Sequence, residues 1–185
     1  MENKKLQILK KSFTLIELIF VIVIIGLLAS VAVPKFMQTK ASASSSSVKS
    51  VVSSIRTAIE TKHGEWIIND DLDSSYGYTP QGYPKKLDEA EANKPNKDLF
   101  GGFTATKGEL QILKNPIKSC LENDCWYKYK ADDTDKNISY YAYRFTEDDN
   151  ITLDYNGSNG KFECNNHSKD SGSKLDKGAC ESIIN

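Results

Sequence analysis

Few residues in this chain have side chains suited to catalysis at neutral pH. The two histidines, His63 and His167, are the only side chains that ordinarily change charge near neutrality. His63 lies in the tetrapeptide His-Gly-Glu-Trp, which lacks the H-E-x-x-H spacing of a zinc protease and is better explained by a helix end. The sequence has no G-x-S-x-G serine motif, no P-loop and no dinucleotide fingerprint. These absences predict that the protein is not an enzyme.

All four cysteines lie in the C-terminal half of the chain, at Cys120, Cys125, Cys164 and Cys180. An even number of cysteines downstream of a long apolar segment is typical of disulfides in an oxidising compartment. Of the three possible pairings we favour the nearest-neighbour one, Cys120 with Cys125 and Cys164 with Cys180. The alternative is a four-thiolate zinc site, but zinc knuckles use two closely spaced pairs, and the second pair here is widely spaced. We therefore expect two disulfides and no metal.

A region rich in Asp and Asn raises the question of calcium. Residues 133–137 match the first half of an EF-type calcium loop, but the sequence lacks the glycine at the sixth position and the glutamate at the twelfth. The carboxylates of Asp148, Asp149 and Asp154 leave a calcium ion as a minor alternative to a solvated acidic turn.

The same region contains N-x-[ST] sequons, the acceptor pattern for N-glycosylation, at Asn137, Asn150, Asn156 and Asn166. The first three carry an aspartate two residues earlier, which resembles the acceptor pattern of bacterial periplasmic oligosaccharyltransferases. The alternative is coincidence in a segment of biased composition. Asn137, Asn150 and Asn156 are therefore candidate glycosylation sites.

The longest apolar run, residues 13–33, contains a single charged residue, Glu17. At about 1.5 Å per residue, a helix of this length spans the ~30 Å hydrocarbon core of a bilayer. Lysines precede the run and few basic residues directly follow it, which predicts a cytoplasmic N-terminus. An ordinary signal peptide has a shorter apolar core. A plain transmembrane anchor leaves Glu17 unexplained, because an intramembrane carboxylate costs about 3 kcal/mol at the helix centre and needs a partner.

The residues around this acid resemble the processing site of type IV prepilins and type II secretion pseudopilins. The matching stretch is Lys11-Ser12-Phe13-Thr14-Leu15-Ile16-Glu17-Leu18, with Gly26 and Pro34 at later helix positions. In that family a dedicated peptidase cuts before the aromatic residue and methylates the new amine. The resemblance implies that Ser12 ends a leader and that Phe13 becomes the methylated N-terminus. The family normally has glycine where this chain has Ser12, another small residue.

The resemblance also implies an assembly role for Glu17, whose carboxylate would pair with the positive Phe13 amine of a neighbouring subunit. Two unlike charges that meet in a low-dielectric core offset a desolvation penalty that neither offsets alone, and a wrong register leaves both unpaired. The segment between Cys164 and Cys180 is similar to the C-terminal disulfide loop of type IV pilins. This second similarity favours a pilus.

Beyond Pro34 the sequence predicts that the helix continues. Apolar residues recur at helical spacing along one face, opposite a face of Ser and Lys: Val48, Val51, Val52, Ile55, Ala58 and Ile59. We expect the helix to run to about Lys62, with Gly64 as its C-terminal stop. Pro34 is expected to kink or loosen it, because proline cannot donate a backbone hydrogen bond.

The last third of the chain predicts an antiparallel sheet. The predicted strands are Trp126–Lys130, Ile138–Thr146 and Ile151–Tyr155, with a further edge strand around Phe162. The acidic residues 147–150 are expected to join the second and third strands as a hairpin. Residues 64–118 are predicted to be irregular, apart from a short helix around Lys86–Ala92 and another element around Leu110–Leu113.

The sequence thus predicts an α+β fold in which a long N-terminal helix, membrane-spanning in its first half, packs on an antiparallel sheet. The pilin resemblance implies the same arrangement. We expect a cytoplasmic leader at residues 1–12, a transmembrane or filament-core helix at 13–33 and an extracytoplasmic head at 34–185. The head includes the second half of the helix.

The resulting hypothesis is a structural subunit of a type IV pilus, a type II secretion pseudopilus or a DNA-uptake filament. Its implied partners are the prepilin peptidase, copies of itself, other pilin-like subunits and an inner-membrane assembly platform; no cofactor is expected. The implied location is the bacterial inner membrane, single pass with a periplasmic head, and then an extracytoplasmic filament. Nucleic acid is expected only through a DNA-uptake filament. The alternative is a single-pass anchored binding protein that never polymerises.

Overall fold

The computed structural model describes residues 13–165 and 175–185. The leader, with Ser12, and the segment that contains Asn166 and His167 lie outside the described residues. The chain divides into two compact units, of which the first ends at Ala41 and the second comprises residues 42–185.

The first element is the helix α1, Leu15–Ile68, which continues through Pro34. Its predicted end near Lys62 is wrong, because the helix does not stop at Gly64. An isolated glycine costs a helix only about 1 kcal/mol. That cost is offset by Trp66, which packs against the core, and by an ion pair of 2.7 Å between Lys62 and Glu65.

The amphipathic stripe of α1 is confirmed. Val48, Val52, Ile55 and Ile59 are completely buried, and Val51 and Ala58 pack against the same core at its margin. Full burial of one such side chain stabilises the fold by about 1.5–3 kcal/mol. The stripe is therefore the main attachment of the helix within the second unit.

The polar face of α1 makes its own hydrogen bonds. Hydroxyl groups donate to the backbone carbonyl four residues earlier, at 2.8–2.9 Å, in four places: Ser46 to Ser42, Ser54 to Ser50, Thr57 to Ser53 and Thr61 to Thr57. Serine and threonine hydroxyls commonly bond back in this way within a helix. These hydroxyls consequently have a hydrogen-bond acceptor inside the helix itself.

In the described part of the chain, eight strands follow: β1 Asp98–Leu99, β2 Gly102–Ala105, β3 Gly108–Gln111, β4 Ile117–Lys118, β5 Cys125–Asp133, β6 Ile138–Arg144, β7 Asn150–Asn156 and β8 Lys161–Cys164. The last four form an antiparallel sheet in the order β5-β6-β7-β8. The predicted hairpin is confirmed, since Arg144 pairs with Asn150 across the acidic turn. The predicted strand around Phe162 is β8, at the sheet edge.

Two predictions for residues 64–118 need correction. The segment is not merely irregular, because β1 pairs with β4 and β2 pairs with β3 as two small antiparallel sheets. The element expected around Leu110–Leu113 is the strand β3. No helix forms at Lys86–Ala92, although the composition favours one, because Leu87 and Asp88 are both drawn into the core from a segment without regular secondary structure.

The described chain ends with the helix α2, Lys177–Ile184, which the sequence analysis did not predict. Asp176 caps it by accepting a hydrogen bond from the Ala179 backbone N–H at 2.8 Å. The side chains of Cys180 and Ile184 are buried against the sheet core. With α2 the second unit has the α+β architecture that the sequence predicts.

The tyrosines of this core predict a loss of stability at alkaline pH. Burial raises the pKa of five phenols, at Tyr78, Tyr140, Tyr141, Tyr143 and Tyr155. For Tyr78, burial and then the nearby Glu65 charge raise the pKa from 10.0 to about 12. A phenol whose pKa is higher in the folded state than in the unfolded state stabilises the folded protein below pH 10. This stabilisation is lost as the pH rises towards 12. We expect the denaturation midpoint to fall steeply above pH ~10.

Phenolate absorbance and far-ultraviolet circular dichroism, followed together along an alkaline titration, test this expectation. The buried phenols should ionise in the same step in which secondary structure is lost. Ionisation of all the tyrosines with the secondary structure intact would contradict it.

Candidate functional site

The first unit presents an apolar helix that its own fold does not cover. Between Phe13 and Met37, every large apolar side chain is at least 40 % exposed. Among the described residues, α1 is the one helix long and apolar enough to cross a membrane. Because a helix that is apolar all round is stable only in lipid or against protein, this surface needs an apolar surrounding.

Glu17 lies in the first turn of this helix and participates in its cap. Its backbone N–H donates to the Thr14 hydroxyl oxygen at 3.3 Å, and that hydroxyl approaches the Glu17 carboxylate at 3.5 Å. The pattern Thr-x-x-Glu is that of a capping box, and the positive end of the helix dipole favours an acid there. The contact to the carboxylate is at the long limit of a hydrogen bond, so the cap occupies Glu17 only weakly.

Both disulfides that the sequence predicts are present. Cys120 is joined to Cys125 and Cys164 to Cys180, each with Cα atoms 5.9 Å apart. The second bridge is buried and ties α2 to the end of β8. Since no cysteine is free, the four-thiolate zinc alternative does not apply.

His63 has a structural environment. Its Nδ1 lies 3.2 Å from the Gly82 carbonyl oxygen, so the ring carries a proton on that nitrogen and donates it. The ring stacks on Tyr83 with centroids 4.0 Å apart. His63 therefore links the last turns of α1 to the segment before β1.

The acidic residues considered for calcium are dispersed. Asp148 and Asp149 lie in the turn between β6 and β7, whereas Asp154 is on β7, where its Oδ1 accepts from the Asn165 amide. Within residues 13–165 and 175–185, no group of three or more His, Cys, Asp or Glu side chains is placed to hold a metal ion.

The structure places the three described sequons differently. Asn150 is buried on β7, and the sequon of Asn137 ends in Ser139, which is buried on β6. Asn156 is partly exposed at the end of β7, and Ser158 of its sequon is exposed in the turn that follows. The fold thus leaves the Asn156 sequon more accessible to an enzyme than the other two.

A buried cluster of charges lies outside the site residues that the sequence predicts. Lys128 on β5 donates to Asp88 Oδ1 at 3.0 Å and to Asp132 Oδ2 at 2.8 Å. The second Asp88 oxygen, Oδ2, accepts from the Tyr141 hydroxyl at 2.9 Å and from the Phe100 backbone N–H at 3.1 Å. Burial, followed by the Asp88 and Asp132 charges, raises the Tyr141 pKa well above its usual value, which keeps this phenol a donor.

A sequence signal for half of this cluster existed. Lys128 lies two residues after the buried Trp126 and opposite the buried Tyr141, so simple alternation places it on the core face, and the register shift between Lys128 and Lys130 lets Lys130 turn outward. Nothing in the sequence around Asp88 indicates that its carboxylate is buried.

Comparisons with known proteins bear on the apolar segment. A family model described as a prokaryotic N-terminal methylation motif matches residues 9–33. Over 53 residues the chain is 49% identical to the type IV major fimbrial protein FimA of Dichelobacter nodosus. This match covers 29% of this chain and 34% of that protein. The N-terminal segment of the chain is thus similar to those of type IV pilins.

A second pilin match extends further along the chain. Over 71 residues the chain is 34% identical to the type IV major pilin protein PilA of Myxococcus xanthus. This match covers 38% of this chain and 32% of that protein. The chain spans about a third of the length of the curated relatives it matches. No solved structure matches it. The match to the N-terminal methylation motif includes Phe13, Glu17 and the exposed apolar helix as far as Val33.

Proposed function

We propose that this chain is a structural, non-enzymatic subunit of a type IV filament that polymerises through the helix of residues 13–33. The observation that carries the proposal is the uncovered apolar helix of the first unit, which bears a single carboxylate in its first turn. Because a helix that is apolar all round is stable only in lipid or against protein, such helices must pack against one another once they leave the membrane.

The membrane holds this helix before assembly. We propose a single pass with the N-terminus in the cytoplasm and the head, residues 34–185, in the periplasm. Removal of residues 1–12 by a prepilin peptidase would leave Phe13 as a methylated amine, and an inner-membrane platform would pass the subunit into the filament.

Glu17 gives the assembly its register. Its carboxylate pairs with the Phe13 amine of a neighbouring subunit, and each charge is paired only when the helices are correctly staggered. Support comes from the weak hold of the Thr14 cap, which leaves the carboxylate able to accept a stronger, charged donor.

We favour a pilus over a secretion pseudopilus or a DNA-uptake filament. The matched relatives are named as major fimbrial and pilin proteins, and the Cys164–Cys180 bridge closes a C-terminal segment similar to that of pilins. The second candidate function is an anchored binding protein that stays monomeric. A monomeric anchor has no partner for Glu17, so Glu17 discriminates between the two.

Processing provides the test of the family-specific step. Co-expressed with a prepilin peptidase, the precursor should lose residues 1–12 and gain a methyl group on Phe13, as read from the intact mass. Ser12→Gly should speed the cut and Ser12→Lys should block it, because the site has room for a small residue. An uncut chain, or a cut near Ala43, would remove the proposed maturation.

A further inference from the structure

The buried cluster around Lys128 has the composition of a reaction centre as well as of an ion pair. The side chain of Lys128 is 1% exposed and that of Asp88 is completely buried, and the Nζ atom lies 3.0 Å from Oδ1. An amine and a carboxyl held at this distance have lost the entropy that normally opposes their encounter.

A third group lies where proton transfer requires one. Asp132 Oδ2 is 2.8 Å from the same Nζ atom. Its other oxygen, Oδ1, is buried and has no hydrogen-bond partner in the part of the chain that the structure describes. A carboxylate with one oxygen on the amine and the other unengaged is suited to take up a proton and release it again.

The remaining contacts prepare the Asp88 carboxyl for attack. Oδ2 accepts from the Phe100 backbone N–H and from the Tyr141 hydroxyl, two donors that stabilise the negative charge that develops on this oxygen when a nucleophile adds to Cγ. Oδ1 accepts from the Ala90 backbone N–H at 3.0 Å and lies beside the amine. Oδ2 is thus placed to become the amide oxygen, and Oδ1 is placed to leave.

We propose that Lys128 and Asp88 condense to an intramolecular isopeptide bond, with Asp132 transferring the protons. Asp132 accepts a proton from the Lys128 ammonium, and the free amine adds to Asp88 Cγ to form the C–N bond. The nitrogen then loses a second proton, both protons pass through Asp132 to Oδ1, and the Cγ–Oδ1 bond breaks to release water. The ammonium and the carboxylate become a neutral amide, Asp132 returns to its initial state, and no oxidant or reductant takes part.

Burial favours the product of this condensation. In water, two solvated ions are more stable than an amide plus water. Here both ions are removed from water, and their desolvation penalty is relieved when they become one neutral amide. The ion pair seen in the structure is the reactant of this step. The bond would link the segment before β1 to β5 and enclose the two small sheets in a covalent loop.

Mass spectrometry of the full chain, purified in detergent after prolonged incubation at neutral pH, tests the proposal directly. After reduction of the disulfides, the intact mass should be lower than the sequence mass by one water. Trypsin should fail to cut after Lys128, and the peptide Leu87–Lys97 should be recovered joined to Ser119–Lys130. A wild-type chain with its full mass and a linear Lys128 peptide overturns the isopeptide, whatever the variants do.

Two variants and a control locate the chemistry. Lys128→Arg keeps a buried positive charge but should retain the full mass, because a guanidinium does not form this amide. Asp132→Asn keeps both reacting groups and should slow bond formation at least about tenfold, as expected for the loss of a general base. Glu91→Gln changes an exposed carboxylate on the same segment and should react like the wild type. A wild-type rate in Asp132→Asn would overturn the role of Asp132.

Discussion

Replacing Glu17 with alanine will leave the subunit inserted in the membrane but will abolish its incorporation into filaments. Insertion is retained or improved because an intramembrane charge is removed. Assembly is lost because the Phe13 amine of the neighbouring subunit enters the filament core without a partner, and one unpaired buried charge costs about 3–5 kcal/mol. Membrane fractionation measures insertion, and sheared-filament yield measures assembly.

Two matched variants separate pairing between subunits from capping within the helix. Glu17→Asp keeps the charge on a shorter side chain and should assemble at an intermediate level. Thr14→Val removes the local hydroxyl partner of Glu17 but leaves its carboxylate, so it should cost at most about 1–2 kcal/mol of helix stability and still assemble.

The outcomes are distinguishable. Filaments of Glu17→Ala at wild-type yield would show that the charge does not set the register. If the wild-type protein remains monomeric with its complete assembly machinery present, the anchored binding protein becomes the better proposal. Thr14→Val with the same defect as Glu17→Ala would place the role of Glu17 in its own helix.

Replacing Asp88 with alanine will destabilise the second unit by about 4 kcal/mol or more. The change removes one of the two carboxylate partners of Lys128 and leaves three other donors, Phe100 N–H, Ala90 N–H and the Tyr141 hydroxyl, without their acceptor. Buried donors that lose their acceptor carry their full desolvation penalty. Urea denaturation of the detergent-solubilised chain, followed by tryptophan fluorescence, measures the loss.

Two further variants show how much of this loss of stability comes from a single hydrogen bond and how much from any change in the segment. Tyr141→Phe removes one hydrogen bond to a charged acceptor and should cost about 1.5–3 kcal/mol. Glu91→Ala removes an exposed carboxylate from the same segment and should change the stability by less than about 0.5 kcal/mol. An Asp88→Ala variant no less stable than Glu91→Ala would mean that the buried cluster does not hold the segment before β1.

The elements that sequence reasoning predicted are those set by local pattern. The spacing of Val48, Val52, Ile55 and Ile59 admits one helical face, and burial of that face is what the structure shows. The strands β6 and β7 are dense in aromatic and β-branched residues around an acidic turn, so both the strands and their hairpin follow from composition.

The elements that could not be predicted from the sequence are those set by contacts between residues far apart in the chain. Residues 86–92 have helix-forming composition, but a helix would remove Asp88 from Lys128, which lies 40 positions away in the chain. Tertiary contacts outweigh a propensity of a few tenths of a kcal/mol per residue. The helix α2 is short, and its stability comes from the buried Cys180 and Ile184, which sequence periodicity over so few residues does not reveal.

The residues of the candidate site likewise fall into those predicted from local sequence and those brought together only by distant contacts. Phe13 and Glu17 were identified from adjacent residues, and the disulfides from spacing along the chain. The charged cluster unites residues from a segment without regular secondary structure and from two strands, and Asp88 and Lys128 are 40 positions apart in the chain. Its discovery required the three-dimensional register of β5.

The α1 hydroxyls that donate to carbonyls of their own helix affect the energy of moving this helix face between water and a protein surface. A polar helix face normally favours one solvent, because its groups must exchange water for new partners when they are covered. Ser54, Thr57 and Thr61 already have acceptors in their own helix, so drying this face breaks few of their hydrogen bonds. The contribution of these three hydroxyls to the free energy of this face therefore depends little on whether water or protein surrounds it. Subunits could pack against it, or withdraw and leave it wet, with little energetic bias from these hydroxyls in either direction.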